Sequence, residues 1–99
     1  MEFELEDDFE IEYDEVKRLK ILEERELDLA DSKSVFQGNF VQLADDRRDY
    51  GEQRFRVWGF LNGLRINLVW TPRGKRVRRI ITMRQAHGPE HEARFKTLD

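Results

Sequence analysis

The chain has no cysteine, only two prolines, and no apolar run approaching the length of a membrane-spanning helix. Without cysteine there is no disulfide framework and no thiolate metal site, so a reducing, cytoplasmic setting is expected. The short apolar runs exclude a bilayer-crossing helix, and the N-terminus lacks the basic and apolar regions of a secretion signal, so a soluble protein without membrane contact is expected. Its 99 residues suit one domain rather than two.

Charge is abundant and unevenly placed. Residues 1–31 hold fourteen acids against four bases, whereas residues 47–96 hold thirteen bases against four acids. The net charge of -3 conceals this division. It suits either self-complementarity within one fold or a basic face offered to an anionic partner.

The hydrophobic pattern predicts a small α+β domain. Residues 1–8 form an acidic N-terminal extension, and the folded domain is expected over 9–99. Phe9, Ile11 and Tyr13 alternate with Glu10 and Glu12 as a half-buried strand does. Asp14 then caps a helix to Glu26, with Val16, Leu19 and Leu22 or Glu23 as its stripe. A short helix from Asp28 to Phe36, ended by Gly38, follows, with Leu29, Val35 and Phe36 buried.

Strands are predicted at 40–44, 52–60, 64–71 and 76–84. Asn62-Gly63 and Pro72-Arg73-Gly74 separate the last three as turns of an antiparallel meander. Strict alternation puts Arg79 in one row with Val77, Ile81 and Met83, which requires a carboxylate such as Glu15, solvent or a bound anion beside it. A last helix is expected over 89–98, with Pro89 in its first turn. The result is a mostly antiparallel sheet with two N-terminal helices and one C-terminal helix.

His87 and His91 have metal-ligand spacing only on a continuous helix, which Gly88-Pro89 opposes, so exposed histidines and no metal or other cofactor are expected. Trp58, Trp70, Phe60 and Tyr50 at strand spacing fit core positions better than a base-stacking surface, although the two roles are compatible.

Asp46-Arg47-Arg48-x-Tyr50-Gly51-Glu52-x-Arg54, followed by Gly59, Val69-x-Thr71-x-Arg73 and Arg78-Arg79-Ile80-Ile81-Thr82-x-Arg84-x-Ala86, closely resembles the BrnT family. These are ribonuclease toxins of bacterial type II toxin–antitoxin systems, of the RelE-like class. The resemblance spans about residues 9–96, including Tyr13-Asp14-Glu15-x-Lys17, Glu90 and Phe95. It implies a RelE-like fold, an RNA substrate and a BrnA-like antitoxin. Operator DNA would be contacted only indirectly, through that antitoxin.

Metal-independent RNA cleavage needs activation of a ribose 2′-hydroxyl, support for a phosphorane-like transition state and protonation of the leaving 5′-oxygen. The resemblance makes Arg79, Arg73, Arg84, Glu52 and Tyr50 the catalytic candidates. Lys17, Arg25, Arg47, Arg48 and Arg54 become RNA-binding candidates. Arginine suits phosphate because its donors are fixed and permanently charged, and is a poor base for the same reason. Where the family has histidine and then a helix-breaking glycine, this chain has Arg25 and Glu26. Either another base serves, or the chain is a binding module that has lost catalysis. A third reading has the acidic N-terminus fill the basic face.

Overall fold

The computed structural model describes residues 8–96. The expectation for residues 1–7 therefore lies outside the described residues. Strand β1 (Glu10–Glu12) leads into helix α1 (Glu15–Arg25), a 3-10 turn (Leu29–Asp31) and helix α2 (Lys33–Gln37). Strands β2 (Val41–Ala44), β3 (Phe55–Leu61), β4 (Leu64–Arg73) and β5 (Val77–Gln85) follow, then helix α3 (Gly88–Lys96). The five strands lie in the order β1-β5-β4-β3-β2. Only the β1–β5 pairing is parallel, so the predicted α+β architecture and mostly antiparallel sheet hold.

Local chemistry explains the ends of these elements. Asp14 is extended at φ -80° and accepts a hydrogen bond from the Lys17 backbone N–H at 3.1 Å, capping α1. Asp28 caps the 3-10 turn through the Ala30 N–H at 2.9 Å. Asn62 and Gly63 both have positive φ, as a two-residue hairpin turn between twisted strands requires.

The core lies between one sheet face and the segment from the end of α1 through α2. Phe36 sets its ring edge-on to Phe9, Phe40 and Trp70 at 5.6–5.7 Å, and Phe55 lies 5.0 Å from Trp70. Leu29, Val35, Val57, Ile66, Leu68 and Met83 are fully buried around them. Gly59 admits α2: a Cβ there would stand 2.8 Å from Val35 Cγ1. On the opposite face α3 is held by His91, whose Nε2 lies 2.8 Å from the Gly59 carbonyl, and by the Trp58 indole N–H donating to Glu90 at 2.8 Å. His91 is thus buried between Phe60 and Phe95, contrary to the exposed position expected for it.

Two departures from the sequence expectation matter for the site. A bulge shifts the β4–β5 register: Val69 faces Thr82, whereas Trp70 faces Ile80, leaving Ile81 as the extra residue. Below it the alternation reverses, so Arg78, not Arg79, turns into the core. Its guanidinium is caged by Phe9, Phe36 and Trp70 at 3.8, 4.4 and 5.2 Å. Burial lowers Arg78 to about 10, which leaves it charged at neutral pH.

Helix α1 is also rotated relative to expectation. Ile21 is its buried residue, and Val16, Leu19 and Leu22 are 79%, 53% and 37% exposed. The stripe expected to pack inward faces outward. Lys17, Ile21 and Arg25, spaced by four, share the inward side.

Candidate active site

The inward side of α1 and the segment entering β3 bring basic groups together. Arg25 donates to the Met83 carbonyl at 2.9 Å and the Thr82 hydroxyl at 3.3 Å, tying the end of α1 to β5. Lys17 is half-buried, and burial is the largest cause of its lowered pKa, followed by the charges of Arg25 and Arg54. Asp14 opposes that shift. A lysine shifted in this direction gives up its proton more readily than an exposed one.

Glu52 links this group to β4. Its carboxylate accepts from Arg54 Nε at 3.0 Å and from an Arg73 Nη at 3.2 Å. Those two guanidinium groups, Arg54 foremost, hold Glu52 below the ordinary carboxylate range. Arg54 also lies over the Tyr50 ring at 4.2 Å. Tyr50, Glu52 and Arg73, expected as catalytic, therefore meet Arg54, expected as an RNA contact. Nearly half of the Arg73 side chain remains exposed.

Asp45 organises the approach to that cluster, a role that residue type alone did not signal. It is buried, and Arg47 binds both its oxygens at 2.6 and 2.8 Å. That pairing lowers Asp45 to about 2 against the cost of its burial. More than half of the Arg47 side chain is exposed, and Arg48 beside it is exposed.

Arg79 and Arg84 have other neighbours. Arg79 pairs with Glu12 of β1 at 2.9 Å rather than with the expected Glu15. Arg84 binds Glu90 at 2.8 and 3.2 Å, beside Trp58 and under α3. Its register partner is Asn67, six residues along β4 from Arg73, or ~20 Å of strand. The expected catalytic set is thus divided: Tyr50, Glu52 and Arg73 converge, and Arg84 stands apart.

An open cavity of about 720 Å³ lies at the other end of β4, lined in part by Phe60, Leu64, Arg65 and His87. It contains none of the converging residues. Among the described residues, no group of three or more histidines and carboxylates is arranged to hold a metal.

The helix-flanked sheet, antiparallel except for the β1–β5 pair, is of the RelE-like toxin fold class. The family model described as "Ribonuclease toxin, BrnT, of type II toxin-antitoxin system" matches residues 13–90, and the chain belongs to that family. Among solved structures it is similar to the Brucella abortus ribonuclease toxin BrnT, at 26% identity and a TM-score of 0.62. The match covers 80% of this chain and 97% of the Brucella one. No curated protein matches it.

Proposed function

We propose that this chain is a metal-independent endoribonuclease toxin, acting on cytoplasmic RNA and neutralised by a BrnA-like antitoxin. The observation that carries this reading is the convergence of Lys17, Arg25 and Arg54 with a carboxylate, Glu52, shared by Arg54 and Arg73. This cationic cluster offers both a proton acceptor and a proton donor.

In the proposed reaction the ribose 2′-oxygen attacks the adjacent phosphorus. The O2′–P bond forms as the P–O5′ bond breaks, leaving a 2′,3′-cyclic phosphate and a 5′-hydroxyl. Glu52 takes the 2′-hydroxyl proton, and the Lys17 ammonium gives one to the departing O5′. Arg54, Arg73 and Arg25 stabilise charge on the phosphorane, the task for which arginine is suited. Tyr50 orients Arg54 from beneath. Arg47 and Arg48 hold the RNA backbone outside the cluster. Arg79 and Arg84 reach phosphate only by exchanging Glu12 and Glu90 for it.

The test is cleavage of single-stranded RNA in EDTA by wild type, Lys17→Ala, Glu52→Gln and Arg73→Ala, with folding checked by circular dichroism. Wild type should yield cyclic-phosphate ends, and each folded variant should be slower by about 10²-fold or more. Wild type that cuts nothing would sink the catalytic reading. It would favour a BrnT-like module that binds its partner without catalysis, the reading motivated by Arg25 at the family's histidine position and by its use as a clamp on β5.

A further inference from the structure

We infer that Arg56 is a positioning residue for Arg47: by taking over the Asp45 carboxylate, it releases Arg47 to bind an RNA phosphate. Two arginines approach this aspartate, one from a loop and one from the sheet. Arg47, in the segment between β2 and β3, grips both its oxygens at 2.6 and 2.8 Å and keeps more than half of its own side chain in solvent. Arg56 of β3 stands behind, with its Nε 4.0 Å from Asp45 Oδ1 and only 18% of its side chain exposed.

That Nε is buried and has no hydrogen-bond partner among the described residues. A buried donor left unpaired is destabilising, so its place beside an occupied carboxylate needs a reason. Its contact with Trp58, 5.2 Å from the ring centre, is not one, because stacking uses the face of a guanidinium and not its N–H edge. Strand register brings the two groups together. Arg56 pairs with Leu43, and Asp45, two residues beyond Leu43, falls on the same face of the sheet. The Asp45 N–H donates to the Arg54 carbonyl at 2.8 Å, which fixes the aspartate to β3 independently of Arg47.

An exposed arginine clamped to a buried carboxylate is poorly free to serve phosphate. Its departure strands the carboxylate, here 1% exposed, without a partner. A second guanidinium one short shift away removes that penalty. Both arginines already favour the ionised aspartate, Arg47 by hydrogen bonds and charge, Arg56 by charge alone. With Arg56 on Asp45 the buried Nε and the carboxylate are both satisfied, and Arg47 offers its donors to phosphate. The choice of RNA as the anion rests on the function proposed above, whereas the exchange of partners does not.

The experiment follows the Asp45 carboxyl by NMR titration in wild type, Arg47→Ala, Arg56→Met and the double variant. Binding of each to an uncleavable 2′-deoxy-substituted oligonucleotide is measured in parallel. In Arg47→Ala, Asp45 should still titrate below the ordinary aspartate value because Arg56 binds it, and in the double variant burial should push it above that value. A double variant that alone fails to fold, beside two folded single variants, would carry the same meaning. Arg47→Ala should weaken RNA binding about tenfold in the wild-type background and less than about twofold in the Arg56→Met background, where Arg47 is kept on Asp45. An Asp45 that titrates at or above the ordinary value in Arg47→Ala would overturn the exchange. So would an equal loss from Arg47→Ala in both backgrounds, or RNA affinity unchanged by Arg47→Ala. A wild type that binds no RNA, with Asp45 still low in Arg47→Ala, would sink the ribonuclease reading and uphold the exchange itself.

Discussion

Glu26 ends α1 with φ 57°, and its backbone N–H bonds to the Leu22 carbonyl at 3.0 Å. A left-handed residue at this position is where glycine is least strained, and a side chain there costs roughly 1 kcal/mol. Glu26→Gly should therefore raise unfolding free energy by about 1 kcal/mol in urea titration. An unchanged or lower midpoint would mean that the glutamate's contacts outweigh its strain. The neighbouring arginines carry a second lesson at this scale. Nothing in their chemistry distinguishes Arg78 from Arg79, and strict alternation assigns the inner position to the wrong one. One extra residue, Ile81, reverses the assignment.

At the scale of elements, α2 packs tightly onto β3, and Gly59 permits it. Its backbone has no need of positive φ, so the requirement is space: Val35 Cγ1 at 2.8 Å and Phe40 Cβ at 3.2 Å from a built Cβ. Gly59→Ala should destabilise by about 1–3 kcal/mol through overpacking, read as a lowered urea midpoint at unchanged m-value. A wild-type midpoint would show that α2 can move aside freely. The Asn62-Gly63 turn, the helix N-caps and the alternation of β3 are legible in the sequence because they depend on neighbours; the second turn falls at 74–76, since Pro72 and Arg73 continue β4 paired with Arg78 and Val77. The rotation of α1 is not, because its apolar stripe suits the core and an external partner equally well.

At the scale of the molecule, acid should loosen the attachment of α3. Arg84, then Trp58, lowers Glu90 to about 2, and Arg47 chiefly lowers Asp45 to about 2. Both lie below the ordinary carboxylate values of the unfolded chain, ~4. Their stabilisation is therefore fully present above that value and is lost as pH falls toward 2. Urea midpoints between pH 6 and 2 should fall on the acid side, and Glu90→Gln should lessen the slope there. An identical slope in Glu90→Gln would show that the carboxylate bridging β3, β5 and α3 does not contribute.

By itself the sequence determined the element types, the meander, the charge division and the family motif from Arg47 to Arg84. Those follow from local periodicity, turn chemistry and residue spacing along the chain. The candidate site was legible in part: Tyr50, Glu52 and Arg54 stand together in the sequence, and the resemblance pointed to Arg73 and Lys17. Only the tertiary structure decided that Lys17 is partly desolvated beside Arg25 and Arg54, that Arg84 of β5 pairs with Glu90 of α3, and that α1 turns its apolar stripe outward. Those outcomes depend on strand register and helix rotation, which are set by packing between residues distant in the chain. No local pattern encodes that balance.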